Sequence, residues 1–370
     1  GKTTLSEALL YRAGAIRRLG RVDHQDAFLD TDAMERQRGI TIFSKQAVLT
    51  WKDTEITLLD TPGHVDFSAE MERTLQVLDY AVLVISGPDG VQGHTQTLWK
   101  LLEKYQIPVF IFVNKMDQPG TEKEFILGEL QAKLNSSVTD FSELQSEEFY
   151  EQVSLCEEEM LNQYLEEGEV SVSQIAEKIS ERKIFPCVFG SALRMEGVKH
   201  LLEVMQTLLL EPSYDEVFGA KVFKIMRDDK GARLTYVKVT GGQLKPRMEL
   251  SDKKGEWTEK INQIRVYSGS RYETVAQAVP GMICALTGLT KTYPGEGLGA
   301  EFDSGAPVLE PVLTYRILFP DGEEPAKMLP KLREIEEEEP ALHIVWNEEL
   351  QEIHAQVMGE VQIEILKKLI

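Results

Sequence analysis

Short apolar runs alternate with stretches of helical period along the first 212 residues. A helix-period stretch lies at residues 95–105, and another helix is predicted after residue 190, with its apolar positions on one side. The apolar runs are typical of strands buried on both faces of a sheet, and they lie at residues 56–60, 81–86, 108–114 and 184–189. This alternation predicts an α/β domain with a mostly parallel sheet over residues 1–213.

The 77 positions from Asn114 to Ser191 are too many for one crossover connection. The Glu-rich stretch 147–182 has amphipathic spacing and predicts two or more helices, so we expect an acidic helical insert at about residues 121–185. This insert carries 16 acidic and 5 basic residues, about half of the net charge of −21. Two interpretations stay open: a solvated surface, and a docking face for a basic protein partner.

After residue 213 the pattern changes to short strands separated by turn residues. This spacing predicts an antiparallel β-barrel over residues 214–306, with strands at 219–226, 234–240, 248–251, 258–266 and 282–287. Residues 307–370 then follow the order strand, helix, strand, strand, helix. That order predicts a ferredoxin-like split βαβ domain whose last piece is cut off.

Composition excludes several classes of protein. An excess of acidic residues argues against nonspecific coating of nucleic acid, including DNA, because phosphate binding relies on Lys and Arg. No run reaches the roughly 18 apolar residues of a membrane span. Cys156, Cys187 and Cys284 are far apart and form no C-x-x-C pair, so we interpret them as buried thiols in a reducing cytoplasm, without a catalytic role.

Two polar strings directly after predicted strands suggest where chemistry occurs, DTPGH at residues 60–64 and NKMD at 114–117. In the second string, the Asn114 amide and the Asp117 carboxylate would read a base. A carboxylate accepts two hydrogen bonds from guanine N1–H and N2–H₂, for which adenine has no equivalent donors. Lys115 would lay its alkyl stem along the base, and the backbone N–H groups of Ser191 and Ala192 would donate to guanine O6.

The chain begins with Gly1, Lys2, Thr3 and Thr4, which match the end of the phosphate-binding loop G-x-x-x-x-G-K-[ST]. Lys2 would bind the β- and γ-phosphates, and the Thr3 hydroxyl would ligate Mg²⁺. A plain helix start with a Thr cap is the alternative. Because the first half of the loop is missing, we expect this sequence to be a fragment of a longer chain.

Four further residues complete the predicted nucleotide site. Asp60 would hold Mg²⁺, and Thr41 would complete the metal shell only when a γ-phosphate is present. Gly63 would offer its N–H to that phosphate, since a residue without a Cβ allows close approach. His64 would orient the attacking water and is the predicted catalytic residue. A turn at Gly63 and His64, and an edge strand with its loop at Thr41, are the alternatives without function.

Taken together, these motifs resemble those of the translational GTPases of the elongation factor G type. The strings that match its five GTPase boxes begin at Gly1, Arg38, Asp60, Asn114 and Gly190, and MGEVQIE at 358–364 resembles the start of its third-domain helix. The resemblance implies a P-loop GTPase domain, a barrel and a split βαβ domain, with two further domains absent. Among such proteins, the chain is most similar to the tetracycline-resistance ribosomal protection proteins, by MERQRG at 34–39, VQIE at 361–364 and a short insert.

This resemblance implies GTP and GDP as ligands, Mg²⁺ as cofactor, the ribosome with its rRNA and proteins as partner, and a cytoplasmic location. Such proteins use GTP on the ribosome to dislodge tetracycline. Two alternatives stay open: an elongation factor G-like translocase or other housekeeping factor, and a nucleotide-binding regulatory protein without turnover. Retention of His64 argues against the second alternative.

Overall fold

The structure, a computed structural model, describes residues 1–24, 26–29, 33–320 and 324–370. The side chains of Ala33, Met34 and Gln37 lie outside the described part, and two of them, Met34 and Gln37, belong to the MERQRG string. The chain divides into two compact units. The first contains Gly1–Gly39, Ala47–Asp60 and Leu78–Pro212, and the second contains Ile40–Gln46, Thr61–Val77 and Ser213–Ile370.

Helices and strands follow one another along the described residues in the following order. The helices are α1 (Lys2–Arg12), α2 (Ala33–Arg38), α3 (Ser68–Leu75), α4 (Gly93–Lys104), α5 (Lys123–Lys133), α6 (Glu147–Ser154), α7 (Glu158–Glu167), α8 (Val172–Ser180), α9 (Val198–Leu208), α10 (Pro325–Glu338) and α11 (Glu360–Leu369). The strands up to the end of the first unit are β1 (Lys45–Trp51), β2 (Thr54–Asp60), β3 (Ala81–Ser86), β4 (Val109–Asn114), β5 (Val138–Asp140) and β6 (Phe185–Phe189).

The remaining strands all lie in the second unit. They are β7 (Gly219–Arg227), β8 (Arg233–Gly241), β9 (Glu249–Ser251), β10 (Thr258–Lys260), β11 (Gln263–Ser268), β12 (Arg271–Val275), β13 (Ile283–Thr287), β14 (Gly297–Gly299), β15 (Leu313–Ile317), β16 (Val345–Asn347) and β17 (Glu352–Val357).

A parallel sheet in the order β3, β4, β6, β5 forms the centre of the first unit, and β1 pairs with β2 separately. Strand β4 is buried at all six positions, as its unbroken apolar sequence predicts. Its Phe110 and Phe112 are fully buried in a core that includes Leu9 of α1 and Leu201 of α9. The α/β domain with a mostly parallel sheet is therefore confirmed.

The predicted insert at 121–185 contains two kinds of structure. Helix α5 precedes β5, which joins the parallel sheet beside β6, whereas α6, α7 and α8 form the acidic helical part. Ser146 caps α6 by accepting the Phe149 N–H at 3.1 Å, and Ser171 forms a capping box with Gln174 at the start of α8. These caps and buried side chains such as Val153 make the acidic stretch an ordered part of the unit.

An antiparallel barrel domain follows in the second unit. Its sheet has the order β12, β11, β13, β8, β7, β14, with β9 and β10 as a separate pair. Residues such as Val222, Val237, Ile264 and Leu286 fill one apolar core from several of these strands. The antiparallel barrel is confirmed.

The last part of the chain has the split βαβ pattern. Strands lie in the order β15, β17, β16, and α10 and α11 contribute Leu332, Ile335 and Leu366 to a core shared with Ile353 and Val357 of β17. Pro325 begins α10, where a missing N–H costs nothing. The predicted three-part architecture is thus confirmed as a fold class, and the exact domain boundaries stay a prediction.

Candidate functional site

The start of α1 and the end of β2 meet in the first unit. The Thr3 hydroxyl donates to Asp60 Oδ2 at 2.8 Å, and the Ser6 hydroxyl donates to Asp60 Oδ1 at 3.2 Å. Asp60 is only 3% exposed. Burial raises the pKa of the Asp60 carboxyl, while the hydroxyl of Thr3 and the charge of Lys2 oppose that rise. Burial also disfavours the charged form of Lys2 and so lowers the pKa of its ammonium group, while the charge of Asp60 opposes that change.

This group of side chains fits a small divalent cation. A buried carboxylate with a hydroxyl at hydrogen-bond distance supplies the oxygen ligands that Mg²⁺ prefers, and Mg²⁺ usually takes one or two protein ligands beside phosphate and water. In the described part of the chain no cluster of three or more His, Cys, Asp or Glu side chains could hold a metal ion. A carboxylate and a hydroxyl would leave the other coordination positions of such an ion to water or to further oxygen ligands. Thr4, the residue after Thr3, is half-buried in the first turn of α1.

Asn114 ties together the two loops predicted to read the base. Parallel pairing of β4 with β6 places the ends of both strands at one edge of the sheet. There the Asn114 Oδ1 atom accepts the Lys115 N–H at 2.8 Å and the Ala192 N–H at 2.9 Å. Asn114 is 4% exposed, so the amide acts as a buried link. Lys115 has φ of 65°, which turns the chain sharply after the strand.

The backbone amides of Ser191 and Ala192 have hydrogen-bond partners within the protein. The Ser191 N–H donates to the Glu196 carbonyl at 3.1 Å, and the Ala192 N–H donates to Asn114. Both amides therefore have partners within the protein, and donation to guanine would replace or share these bonds. The turn itself is tightly packed: a Cβ on Gly190 would lie 2.3 Å from the Glu196 carbonyl oxygen.

Asp117 has charged and polar partners around its carboxylate. A hydrogen bond from the Ser191 side chain and the charge of Arg194 hold the pKa of Asp117 below its usual range. The Arg194 Nε atom lies 3.1 Å from Asp117 Oδ2. The motifs did not predict Arg194, which lies two positions after Ala192.

Thr41, Gly63 and His64 belong to the second unit. Thr41 is half-buried and lies outside any helix or strand. His64 begins a short 3-10 helix, Val65–Phe67, and its side chain is 38% exposed. Its Nδ1 atom lies 3.3 Å from both the backbone nitrogen and the Oδ1 atom of Asp66. Of the thirteen predicted residues, ten thus lie in the first unit, in the two groups around Asp60 and Asn114.

Helix α3, just after His64, carries buried charges that hold it to the rest of the second unit. Glu70 is 3% exposed, and its Oε1 atom lies 3.0 Å from the Lys224 ammonium of β7. The same atom accepts the Ser44 N–H at 3.1 Å. Burial raises the pKa of the Glu70 carboxyl, but the charges of Lys224 and Arg73 outweigh burial and lower the pKa to about 2.

Two more side chains of α3 have partners farther along the chain. The fully buried Glu72 accepts the N–H groups of Val308 and Leu309 at 2.7 and 2.9 Å. Arg73 donates to Glu339 at 3.1 Å through both terminal nitrogens. Because Glu70 also binds Ser44, three positions after Thr41, the segments that hold Thr41 and His64 are connected within one unit.

Two protein families match successive parts of the chain. The family described as Elongation factor Tu GTP binding domain matches residues 1–211, and Elongation factor G domain 2 matches residues 218–299. Among the described residues, no helix is long and apolar enough to cross a membrane.

Relatives of two kinds match the chain over almost all its length. "Tetracycline resistance protein TetP" of Clostridium perfringens is 31% identical over 100% of this chain and 61% of its own length. "Tetracycline resistance protein TetO" of Campylobacter jejuni is 31% identical over 99% of this chain and 60% of its own. "Elongation factor G 1" of Bdellovibrio bacteriovorus is 30% identical over 99% of this chain and 63% of its own.

A solved crystal structure of a Thermus thermophilus protein shares the fold, with a TM-score of 0.87 at 25% identity over 100% of this chain and 64% of that one. The chain thus spans a little over three fifths of the length of these relatives. The family match covers more than half of this chain, and the relatives reach 31% identity. The chain belongs to the family of the elongation factor Tu GTP-binding domain, and it is of the elongation factor G type.

Proposed function

We propose that the protein binds GTP with Mg²⁺ and hydrolyses the γ-phosphate on the ribosome, and that it serves as a ribosomal protection protein that releases tetracycline. The observation that carries the GTPase part is the buried Asp60 carboxylate bonded to the Thr3 hydroxyl at the start of α1. The tetracycline part rests on the two relatives named as tetracycline resistance proteins. A ribosomal role places the protein in the cytoplasm.

Residues of the predicted nucleotide motifs would bind and orient the nucleotide. Lys2 and the N–H groups at the start of α1 would hold the phosphates. Thr3 and Asp60 would hold Mg²⁺, with Thr41 added in the GTP state. The metal would neutralise charge that develops on the phosphate oxygens. Asp117 would accept hydrogen bonds from guanine, and its partner Arg194 would keep the carboxylate ionised and oriented.

His64 would orient the attacking water, while Gly63 would donate its N–H to the γ-phosphate. Phosphoryl transfer depends on positioning and on neutralising charge more than on a strong base, so an oriented imidazole is sufficient for the role. The partly exposed ring and the contact of its Nδ1 atom with Asp66 support this assignment, because they leave Nε2 available to water.

A second candidate is translocation or another housekeeping role, and it is favoured by the match to elongation factor G over 99% of this chain. One experiment separates the two. GTP hydrolysis by the full-length protein is measured with and without 70S ribosomes, followed by release of bound tetracycline in the same samples. Stimulation with release supports a protection protein, stimulation without release supports the housekeeping role, and absence of stimulation contradicts both.

A basic protein partner for the acidic insert stays a separate prediction.

Replacing His64 by Ala tests the catalytic assignment. We expect turnover to fall by roughly 100-fold while GTP affinity changes by less than about twofold, because the side chain contacts the water and not the ground-state nucleotide. His24→Ala is the matched control, since His24 is exposed and lies 4.0 Å from Asp23. Equal losses of affinity and turnover in His64→Ala would contradict the role.

A further inference from the structure

A polar cavity of about 520 Å³ lies in the first unit, apart from the residues predicted to bind the nucleotide. Gln106, just before β4, and Phe185, at the start of β6, are among its lining residues. Since β4 and β6 run parallel, the cavity lies at the edge where both strands begin, whereas Asn114 lies where β4 ends, roughly 17 Å away along the strand. A volume of this size is typical of sites for small molecules.

Basic side chains outnumber acidic ones around the cavity, although the chain as a whole has 61 acidic and 40 basic residues. The lining has four basic residues and two acidic ones, namely Lys100, Lys133, Arg182 and Lys183 against Glu103 and Glu181. Glu181 is also bound at 3.1 Å by Lys178, which does not line the cavity. A concave surface with an excess of positive charge attracts anions.

Arg182 is held at the wall of this cavity by two aromatic rings. Its guanidinium carbon lies 5.4 Å from the centre of the Trp99 ring and 5.3 Å from the centre of the Phe185 ring. The two rings pack edge to face with centres 4.7 Å apart, and both are buried. Because an arginine packed on aromatic faces is restricted in position, this cation is preorganised for a ligand.

The N–H groups of Arg182 have few acceptors in the protein. A guanidinium has five N–H donors, and among the described residues only the Ile107 carbonyl accepts from it, through Nη1. No carboxylate forms an ion pair with Arg182 in the part of the chain that the structure describes. Burial lowers the pKa of Arg182, and the charge of Glu103 opposes that change. A bound anion would compensate this half-buried charge.

Three lysines complete the positive lining. Lys100 is exposed on α4 and forms no ion pair within the described residues. Lys133 pairs with Glu129 at 2.6 Å, Lys183 pairs with Glu157 at 3.6 Å, and both lysine side chains are about half exposed. Exposed pairs of this kind contribute little to stability, so their ammonium groups can turn towards a ligand at small cost.

The donors around the cavity determine what kind of anion fits. A guanidinium offers parallel N–H groups that match two oxygens of one phosphate or carboxylate, and ammonium groups add charge with less directional preference. A phosphate monoester carries nearly two negative charges at neutral pH, whereas a carboxylate carries one. Four cations in a cavity larger than one phosphate therefore favour a small molecule with one or more phosphate groups.

We propose that this cavity binds a small molecule that carries phosphate groups, with Arg182 as the main hydrogen-bond donor and the three lysines as supporting charges. The site uses none of the residues assigned to GTP or Mg²⁺, so it is a second ligand site beyond the proposed function. Because Arg182 also binds the carbonyl of Ile107, two residues before β4, the ligand would contact the segment that leads into this strand.

Calorimetric titration of the full-length protein with fructose 1,6-bisphosphate tests the site. This probe carries two phosphate groups and no base, and fructose is the matched ligand without phosphate. The titration is made with and without saturating GDP and Mg²⁺, which separates the cavity from the predicted nucleotide residues. Arg182→Met and Lys100→Met remove cations of the lining. Lys104→Met is the control, because Lys104 is exposed on the same helix as Lys100 and does not line the cavity.

We expect the parent to bind the probe with a dissociation constant below about 1 mM, with or without GDP, and to give no signal with fructose. Arg182→Met should raise this constant at least about tenfold, because charge-assisted hydrogen bonds are lost. Lys100→Met should raise it about threefold, and Lys104→Met should leave it unchanged. Lys100 is exposed, so Lys100→Met keeps the comparison valid if Arg182→Met does not fold.

Four results would overturn the inference. The first is absence of binding by the parent at probe concentrations up to about 10 mM. The second is loss of binding when GDP is added, which would place the probe among the predicted nucleotide residues. The third is parent-like affinity in a folded Arg182→Met variant. The fourth is an equal weakening by Lys104→Met and Lys100→Met, which would show attraction by the surface in general and not by this cavity.

Discussion

Asp60 and Asp117, both predicted from the sequence, have opposite electrostatic surroundings. Burial is the main influence on Asp60 and raises the pKa of its carboxyl, whereas a hydrogen bond from Ser191 is the main influence on Asp117 and lowers its pKa. A carboxylate that is costly to ionise gains most from a bound cation. A carboxylate that stays ionised is a constant acceptor for donors on a base.

The base-reading role of Asp117 leads to a prediction about nucleotide preference. Asp117→Asn replaces an acceptor by a group with a donor, so affinity for GTP should fall at least about tenfold while XTP becomes the better ligand. Competition of GTP and XTP against a fluorescent nucleotide measures the change. Asp229→Asn, at an exposed turn of the second unit, is the control. An unchanged ratio of GTP to XTP affinity would show that Asp117 does not read the base.

Local motifs predicted the candidate nucleotide residues, but not the partners that hold them. The strings around Asp60 and Asn114 are short and lie at the ends of strands, so their positions can be predicted from sequence alone. Asp66 accepts a hydrogen bond from the N–H of Val361, which lies 295 positions farther along the chain. No local pattern encodes such a pairing, and only the folded chain reveals it.

At the scale of elements, the strongly apolar strands of the parallel sheet were predicted, whereas some short or polar strands were missed. Strand β4 was expected from its unbroken apolar run, and β17 alternates between half-buried and buried positions. Strand β5 has three residues, and β12 is mostly exposed, so neither has a periodicity to detect. A single strand predicted at 258–266 is divided in the structure into β10 and β11.

Helix α3 should make the second unit sensitive to acid. The pKa of Glu70 lies at about 2, below the usual 4.5, so ionised Glu70 stabilises the fold at pH above 4.5 and this contribution is lost as the pH falls towards 2. The full contribution is roughly 3 kcal/mol. Urea unfolding between pH 5 and pH 2 measures it, and Glu70→Gln should show a flatter dependence on pH over this range.

Removing Lys224, one partner of Glu70, should lower the free energy of unfolding more than removing one member of an exposed ion pair. Lys224→Met leaves a carboxylate buried with less compensation, and we expect the free energy of unfolding to fall by about 3–5 kcal/mol. Lys327→Met is the control, because Lys327 is 73% exposed and pairs with the exposed Glu324. Equal effects of the two substitutions would contradict a stabilising role for the buried pair.

At the scale of the whole molecule, neither of the two compact units is one continuous segment of the sequence. Residues 40–46 and 61–77 lie within the predicted first domain, yet they belong to the second unit. The physical reason is the set of long-range partners of Asp66, Glu70 and Glu72, several of which lie after residue 213. Hydrophobic periodicity carries no information about such pairing of charges, so the prediction assigned these segments to the first domain by their order in the chain alone.

Buried cysteines allow the two units to be followed separately. Cys187 lies in the first unit and Cys284 in the second, and both are fully buried, which raises the pKa of each thiol. If GTP binds the first unit, nucleotide at about 100 times its dissociation constant should slow labelling of Cys187 about 100-fold. Mass spectrometry after pulses of thiol reagent measures both sites. Labelling of Cys187 at the same rate with and without GTP would contradict binding by this unit.

The buried position of the α3 charges has a consequence for how the protein responds to dissolved ions. Exposed pairs, such as Lys327 with Glu324, lose their attraction as counterions accumulate around them. Glu70 and Lys224 are each 4% exposed at the side chain, so mobile ions cannot come between them. The attachments of α3 should therefore persist at salt concentrations that remove surface pairs, and the chain would carry the same internal connections in dilute buffer and in a crowded, ion-rich cell.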